Sequence, residues 1–203
     1  MLDREKLLAV EKNNLQEFSR TLEENDLPQL VKWLEAKDDQ VRYHSFLVLK
    51  YRSDETKDVY PYWDLFRDKL ASANSYQRSL GAMLIAANAK WDQENKINTA
   101  IADYLKLLTD EKPITVRQSI QSLALIIPYK PHLEDLIAEE LMALDMQSVK
   151  ATMRKLILFD ILTILIMIHE KSPRQEIESF IFQSLTGEVL DKKTKKQIEA
   201  MLL

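Results

Sequence analysis

Only two glycines, Gly81 and Gly187, occur in 203 residues, against a usual share of about 7%. Sheets with tight hairpins draw on glycine for positive φ, whereas long helices joined by polar loops do not. This scarcity predicts an all-α fold before any pattern is consulted. The six prolines fit helix starts and loops. With 46% apolar and 30% charged residues, the chain has the means to bury a core.

Apolar periodicity supports helices throughout. Leu8, Leu15, Phe18 and Leu22 recur at helical spacing and predict one N-terminal helix over about 3–24, ended by Asn25-Asp26. From Leu27 the chain repeats itself. A helix carrying leucines or aromatics ends in a short polar turn, and a second helix then opens with a cation near its first turn. The turn-plus-helix units are KDDQVRYHSFLVLK, ANSYQRSLGAMLIA, KPITVRQSIQSLALII and DMQSVKATMRKLIL. Their cations are Arg42, Arg78, Arg117 and Lys150, separated by 36, 39 and 33 residues. Spacing of that size signals stacked helical hairpins, each of which needs its neighbour to bury a face. The expected organisation is one domain over 1–203. It has an N-terminal capping helix (1–25), repeats at 27–53, 61–90, 97–128 and 132–171, and an atypical C-terminal capping repeat (173–203).

Three residues beyond the cations stand Ser45, Gly81, Ile120 and Met153. Gly81 inside a helix costs roughly 1 kcal/mol relative to alanine, which a close helix approach would explain. Ser45 is also small, but Ile120 and Met153 are not, so the small-residue rule is half kept.

The string Asp38-Asp39-Gln40-Val41-Arg42-Tyr43-His44-Ser45 resembles the turn of HEAT repeats, D-x-x-V-R-x-x-A followed by spaced leucines. Val116-Arg117 and Val149-Lys150 keep its centre, and Tyr76-Gln77-Arg78 keeps only the arginine. The resemblance covers residues 27 to 168. It implies a right-handed α-α superhelix of about four to five helix pairs. It also implies an acid–cation ladder: Asp39 with Arg42, Asp110 with Arg117, and Asp145 with Lys150. Asn74 replaces the acid in the second unit.

Several residues admit a functional reading. Arg42, Arg78, Arg117, Lys150 and Arg154 could form a row along an inner curve that meets an acidic peptide or phosphates, or they could brace successive turns. Bracing is the expectation for Arg42. Tyr43, His44 and Tyr76 are candidate rim contacts. Asp160, in LILFDILTILIMI, needs a partner; a cation from a neighbouring repeat is expected, with Thr163 placed to donate a hydrogen bond. Trp63 and Phe66 share a face with Leu70 and are read as core. KKTKK (192–196) is read as a solvated helical face.

The remaining signals narrow the function. Net charge is −4, which supplies no long-range attraction for nucleic acid or anionic lipid. The absence of cysteine excludes disulfides, thiol catalysis and thiolate metal sites, and fits a cytoplasmic location. The most apolar run, 156–168, holds 13 residues, short of the roughly 20 that span a membrane. No phosphate loop, nucleophile elbow or H-E-x-x-H zinc spacing occurs, so no catalytic residue, metal or cofactor is assigned. The resulting expectation is a non-catalytic scaffold binding a protein or peptide partner on a concave face. The N-terminal helix either caps the stack or mediates homodimerisation through Leu8, Leu15 and Leu22. The competing classes are a nucleic-acid-binding or DNA-repair helical-repeat protein and an accessory subunit of an enzyme.

Overall fold

A computed structural model describes residues 2–202; the outermost residues of the expected 1–203 domain lie outside it. Twelve α-helices and several 3-10 turns make up the described residues, with no strand among them. The chain divides into two compact units, 1–100 and 101–203, and the division falls inside one helix, Ile97–Lys106.

The first unit begins with α1 (Arg4–Leu8) and α2 (Leu15–Thr21), separated by a 3-10 turn at Lys12–Asn14. The single N-terminal helix expected over about 3–24 is therefore two short ones. Glu11 is extended (φ −62°, ψ 144°), and Asn13-Asn14 are weak helix formers. The break lets Leu7 and Leu15 both be fully buried against α4. Leu15 and Leu22 of the expected stripe are consequently core, and Leu8 and Phe18 are half-exposed.

Next come α3 (Leu27–Trp33) with α4 (Asp39–Glu55), and α5 (Trp63–Lys69) with α6 (Ser75–Asn88). Pro28 occupies the first turn of α3, where its missing N–H costs nothing. Trp63 and Phe66 are fully buried at the α5–α6 contact, as their shared face predicts. A Cβ on Gly81 would stand 2.6 Å from the Phe66 carbonyl oxygen, so the close helix approach inferred at this glycine is present. Inside the α4–α6 contact, Asn88 Nδ2 donates to Ser53 Oγ at 3.0 Å and to the Leu84 carbonyl at 2.8 Å.

The second unit holds the rest of α7 (Ile97–Lys106), then α8 (Pro113–Ser122), α9 (Glu134–Met142), α10 (Ala151–Lys171), α11 (Gln175–Thr186) and α12 (Lys192–Met201). Helix α10 is its centre, packed against α8, α9, α11 and α12. Its burial runs from Ile157 through Ile168 with few interruptions. Tyr104 is fully buried, and its hydroxyl donates to the Ser119 carbonyl at 2.9 Å. That burial pushes the phenol well above its ordinary pKa. No helix of the described residues is long and apolar enough to cross a membrane.

Candidate functional site

The turns before α4, α6, α8 and α10 share one piece of geometry. In each, an Asx side chain accepts a hydrogen bond from the backbone N–H two residues on, which is an Asx turn. The pairs are Asp38 with Gln40 (2.9 Å), Asn74 with Tyr76 (3.0 Å), Asp110 with Lys112 (2.9 Å) and Asp145 with Gln147 (2.8 Å). The interval between these residues is 36, 36 and 35. Asn74 does here what aspartate does elsewhere, because only the side-chain oxygen is needed. Asp38 and Asn74 are also the N-caps of α4 and α6, each satisfying an amide of the first turn.

The cations act on the other side of the turn. Arg42 Nη1 donates to the Ala36 carbonyl at 2.6 Å, and Nη2 meets Asp39. Arg78 Nη1 donates to the carbonyls of Ser72 (2.8 Å) and Ala73 (3.1 Å). Arg154 donates from Nε to Val149 (2.9 Å) and from Nη2 to Gln147 (2.8 Å). Helix ends leave carbonyls without partners, and many proteins close them with a glycine in the left-handed region. Here the only positive φ among the described residues is at Asn95. The arginine fork instead ties the turn between two helices to the first turn of the helix that follows.

Two sequence expectations are corrected by this geometry. Lys150 does not belong with the arginines: it is the exposed N-cap of α10, and Arg154 makes the carbonyl bonds. Both Arg42 and Arg78 are the fourth residue of their helices, and so is Arg154. The cation intervals become 36, 39 and 37. The reason is the turn before α10, which runs through Gln147, Ser148 and Val149 before the helix starts and so carries the arginine further from Asp145. The small-residue rule changes with it. The seventh residues of α4, α6 and α8 are Ser45, Gly81 and Ser119, all buried; only α10 has a large one, Ile157.

Arg117 behaves differently. It leaves its own turn and pairs with Asp160 of α10, Nε to Oδ2 at 2.6 Å and Nη2 to Oδ1 at 3.2 Å. Gln121 Nε2 adds a third bond to Asp160 at 2.9 Å. The hydrogen bond to Asp160 raises the Arg117 pKa above its ordinary value. Asp160 is thus the buried acid that sequence identified, held by a cation from the neighbouring helix pair. Thr163 does not assist: its hydroxyl donates to the Phe159 carbonyl one turn back.

The three rim candidates separate. His44 is a buried residue, its Nδ1 3.3 Å from the Leu7 carbonyl, and is not a rim contact. It lies on the side of α4 that packs against α1, whose Leu7 carbonyl it meets. Tyr43 is half-exposed, with Lys12 Nζ 5.1 Å from its ring centre. Tyr76 is half-buried under the Arg42 guanidinium, 4.6 Å from ring centre to cation, so Arg42 joins its own turn to the next helix pair. Burial raises the Tyr76 pKa, against the opposing pull of Arg42.

Four buried charges were not foreseen: Lys69, Asp92, Lys130 and Glu134. Lys69 is buried between Phe66 and Leu70 and reaches Glu35 (2.9 Å) and Gln77 (2.8 Å). Glu134, the first residue of α9, is buried and lies 3.6 Å from Arg174 and 3.9 Å from Lys171.

A hollow of about 570 Å³ lies in the second unit between the turn after Leu108 and the turn after Leu144. Its floor is Leu108, Val116, Leu144, Val149 and Ile157, and its rim carries Asp110, Glu111, Glu140 and Asp145 against Lys150. Among the described residues no group of His, Asp and Glu is disposed to hold a metal ion. Comparison with known proteins finds no matching family model, no matching curated protein and no matching solved structure.

Proposed function

We propose that this chain is a HEAT-like helical-repeat scaffold, a right-handed α-α superhelix that binds a protein or peptide partner and performs no catalysis. The observation that carries the proposal is the recurring turn: an Asx residue every 35 or 36 residues, followed by an arginine that is the fourth or fifth residue of the next helix. A local device repeated at one period is what a chain needs if each helix pair is to stack on the last in the same way. The arginines support a scaffold over a nucleic-acid reader. Arg42, Arg78 and Arg154 direct their donors at main-chain carbonyls, and Arg117 is committed to Asp160. What remains for recognition is the surface between turns, of a size suited to side chains of a partner.

The test is affinity capture of the full chain from its source cells, followed by reconstitution with the purified partner. A partner that binds stoichiometrically in the purified system is the expected result. Failure to reconstitute any protein complex, together with salt-sensitive binding of duplex DNA, would replace the scaffold reading with the nucleic-acid one.

A further inference from the structure

We infer that the hollow between the turns after α7 and α9 is a docking groove for a basic, apolar-anchored peptide segment of a partner protein. The inference rests on the scaffold reading and names the chemistry of its partner.

Three features lead to that occupant. The floor is apolar and continuous with the core: Leu108, Val116 and Ile157 are buried, while Leu144 and Val149 are half-exposed to the hollow. A leucine-sized side chain entering there exchanges water for hydrocarbon on both sides. The rim is acidic. Asp110 and Asp145 each accept a turn amide at one carboxylate oxygen, and Glu140 is exposed on α9. Glu111 has Lys112 at 3.6 Å, and the only cation lining the hollow is Lys150. Charge complementarity therefore selects lysine or arginine flanking the apolar anchor, and repels an acidic segment. The third feature is the turns themselves. The turns before α8 and α10 place the cation seven and nine residues after the Asx residue, against four in the first unit. These longer turns supply both walls of the groove.

The probe is a short fluorescein-labelled peptide of leucines and lysines, read by fluorescence anisotropy against the full chain, with a leucine–glutamate peptide as counterpart. The lysine peptide is expected to bind and the glutamate peptide to fail. Glu140→Lys and Leu144→Ser should each weaken the lysine peptide by about tenfold. Glu188→Lys, an exposed charge reversal outside the groove, should leave it unchanged. Circular dichroism melting establishes that each variant is folded. Equal weakening by Glu140→Lys and Glu188→Lys, or equal binding of the two peptides, overturns the groove. A second arm separates this outcome from failure of the scaffold reading. If the reconstituted partner binds wild type and the Glu140→Lys/Leu144→Ser chain equally, the groove is wrong and the scaffold stands.

Discussion

Each unit carries two arginines in the opening turns of its second helices, and in the second unit one of the two obtains a different result. In the first unit, Arg42 and Arg78 follow the Asx residue by four positions, turn back, and bond to carbonyls of the turn that follows the preceding helix. In the second unit the turns are longer. Arg154 still reaches back, but Arg117 is displaced by one residue along its helix and swings across to Asp160. One residue of register is about 100° of helix rotation, enough to change what a side chain faces. The difference teaches that the turn acid and the arginine are separate devices. The acid starts the helix; the arginine serves whichever acceptor its register presents.

The largest expected effect tests that distinction directly. Arg117→Met leaves Asp160 buried with only Gln121 as donor and should cost about 3–5 kcal/mol of stability. Arg42→Met and Arg78→Met release carbonyls that water can reach, and each should cost about 1–2 kcal/mol. Urea denaturation of the three variants measures the contrast. Recovery to within about 1 kcal/mol in Arg117→Met/Asp160→Leu would show that the loss came from the stranded acid. Equal losses at all three arginines would erase the distinction.

A second pair of substitutions compares the seventh helical position in the two units. Gly81→Ala drives a methyl to within 2.6 Å of the Phe66 carbonyl and should cost about 1–3 kcal/mol as α5 and α6 part. Ser119→Ala removes a buried hydroxyl that has no hydrogen-bond partner, and should change stability by less than about 1 kcal/mol, toward stabilisation. Thermal melts of both decide whether the helices approach equally closely.

The smallest effect is electrostatic. Asp191 caps α12, accepting from the Thr194 amide and hydroxyl and from Lys155 Nζ at 2.9 Å. The hydrogen bond from Lys155 is the main cause that holds its carboxyl well below the usual range, with the Thr194 bonds adding to it. A depressed folded pKa gives a contribution that is present above the unfolded value, about pH 4, and is lost as pH falls further. The wild-type melting temperature should therefore decline below about pH 4 more steeply than that of Asp191→Asn. Parallel pH profiles would remove Asp191 from the account.

Much of the helical content was legible because it depends on local chemistry. Two glycines, regular apolar spacing and four cation-bearing turns suffice to expect helix pairs. What failed were registers. Val149-Lys150 imitates Val41-Arg42 and Val116-Arg117, and nothing in DMQSVKATMR fixes the helix start at Ala151 rather than earlier. Counting from Arg117 then pointed to Ile120 and hid Ser119. Asp160 was recognisable because an ionised group in so apolar a run demands a partner, and the choice of Arg117 followed only from the helix packing. The hollow was invisible, since its walls come from turns more than 30 residues apart and the motif that marks each turn does not tell how far apart they stand.

An arginine that ties down the turn in front of its own helix differs from a glycine that sets a turn by conformation. The glycine fixes the exit direction at one residue. The arginine grips carbonyls five to seven residues ahead of it, and the count from the Asx residue to the arginine can lengthen from four to nine while that grip keeps its span. Such joints are where this chain can gain or lose residues, and so alter its outer edge, while the helices behind them stay in step.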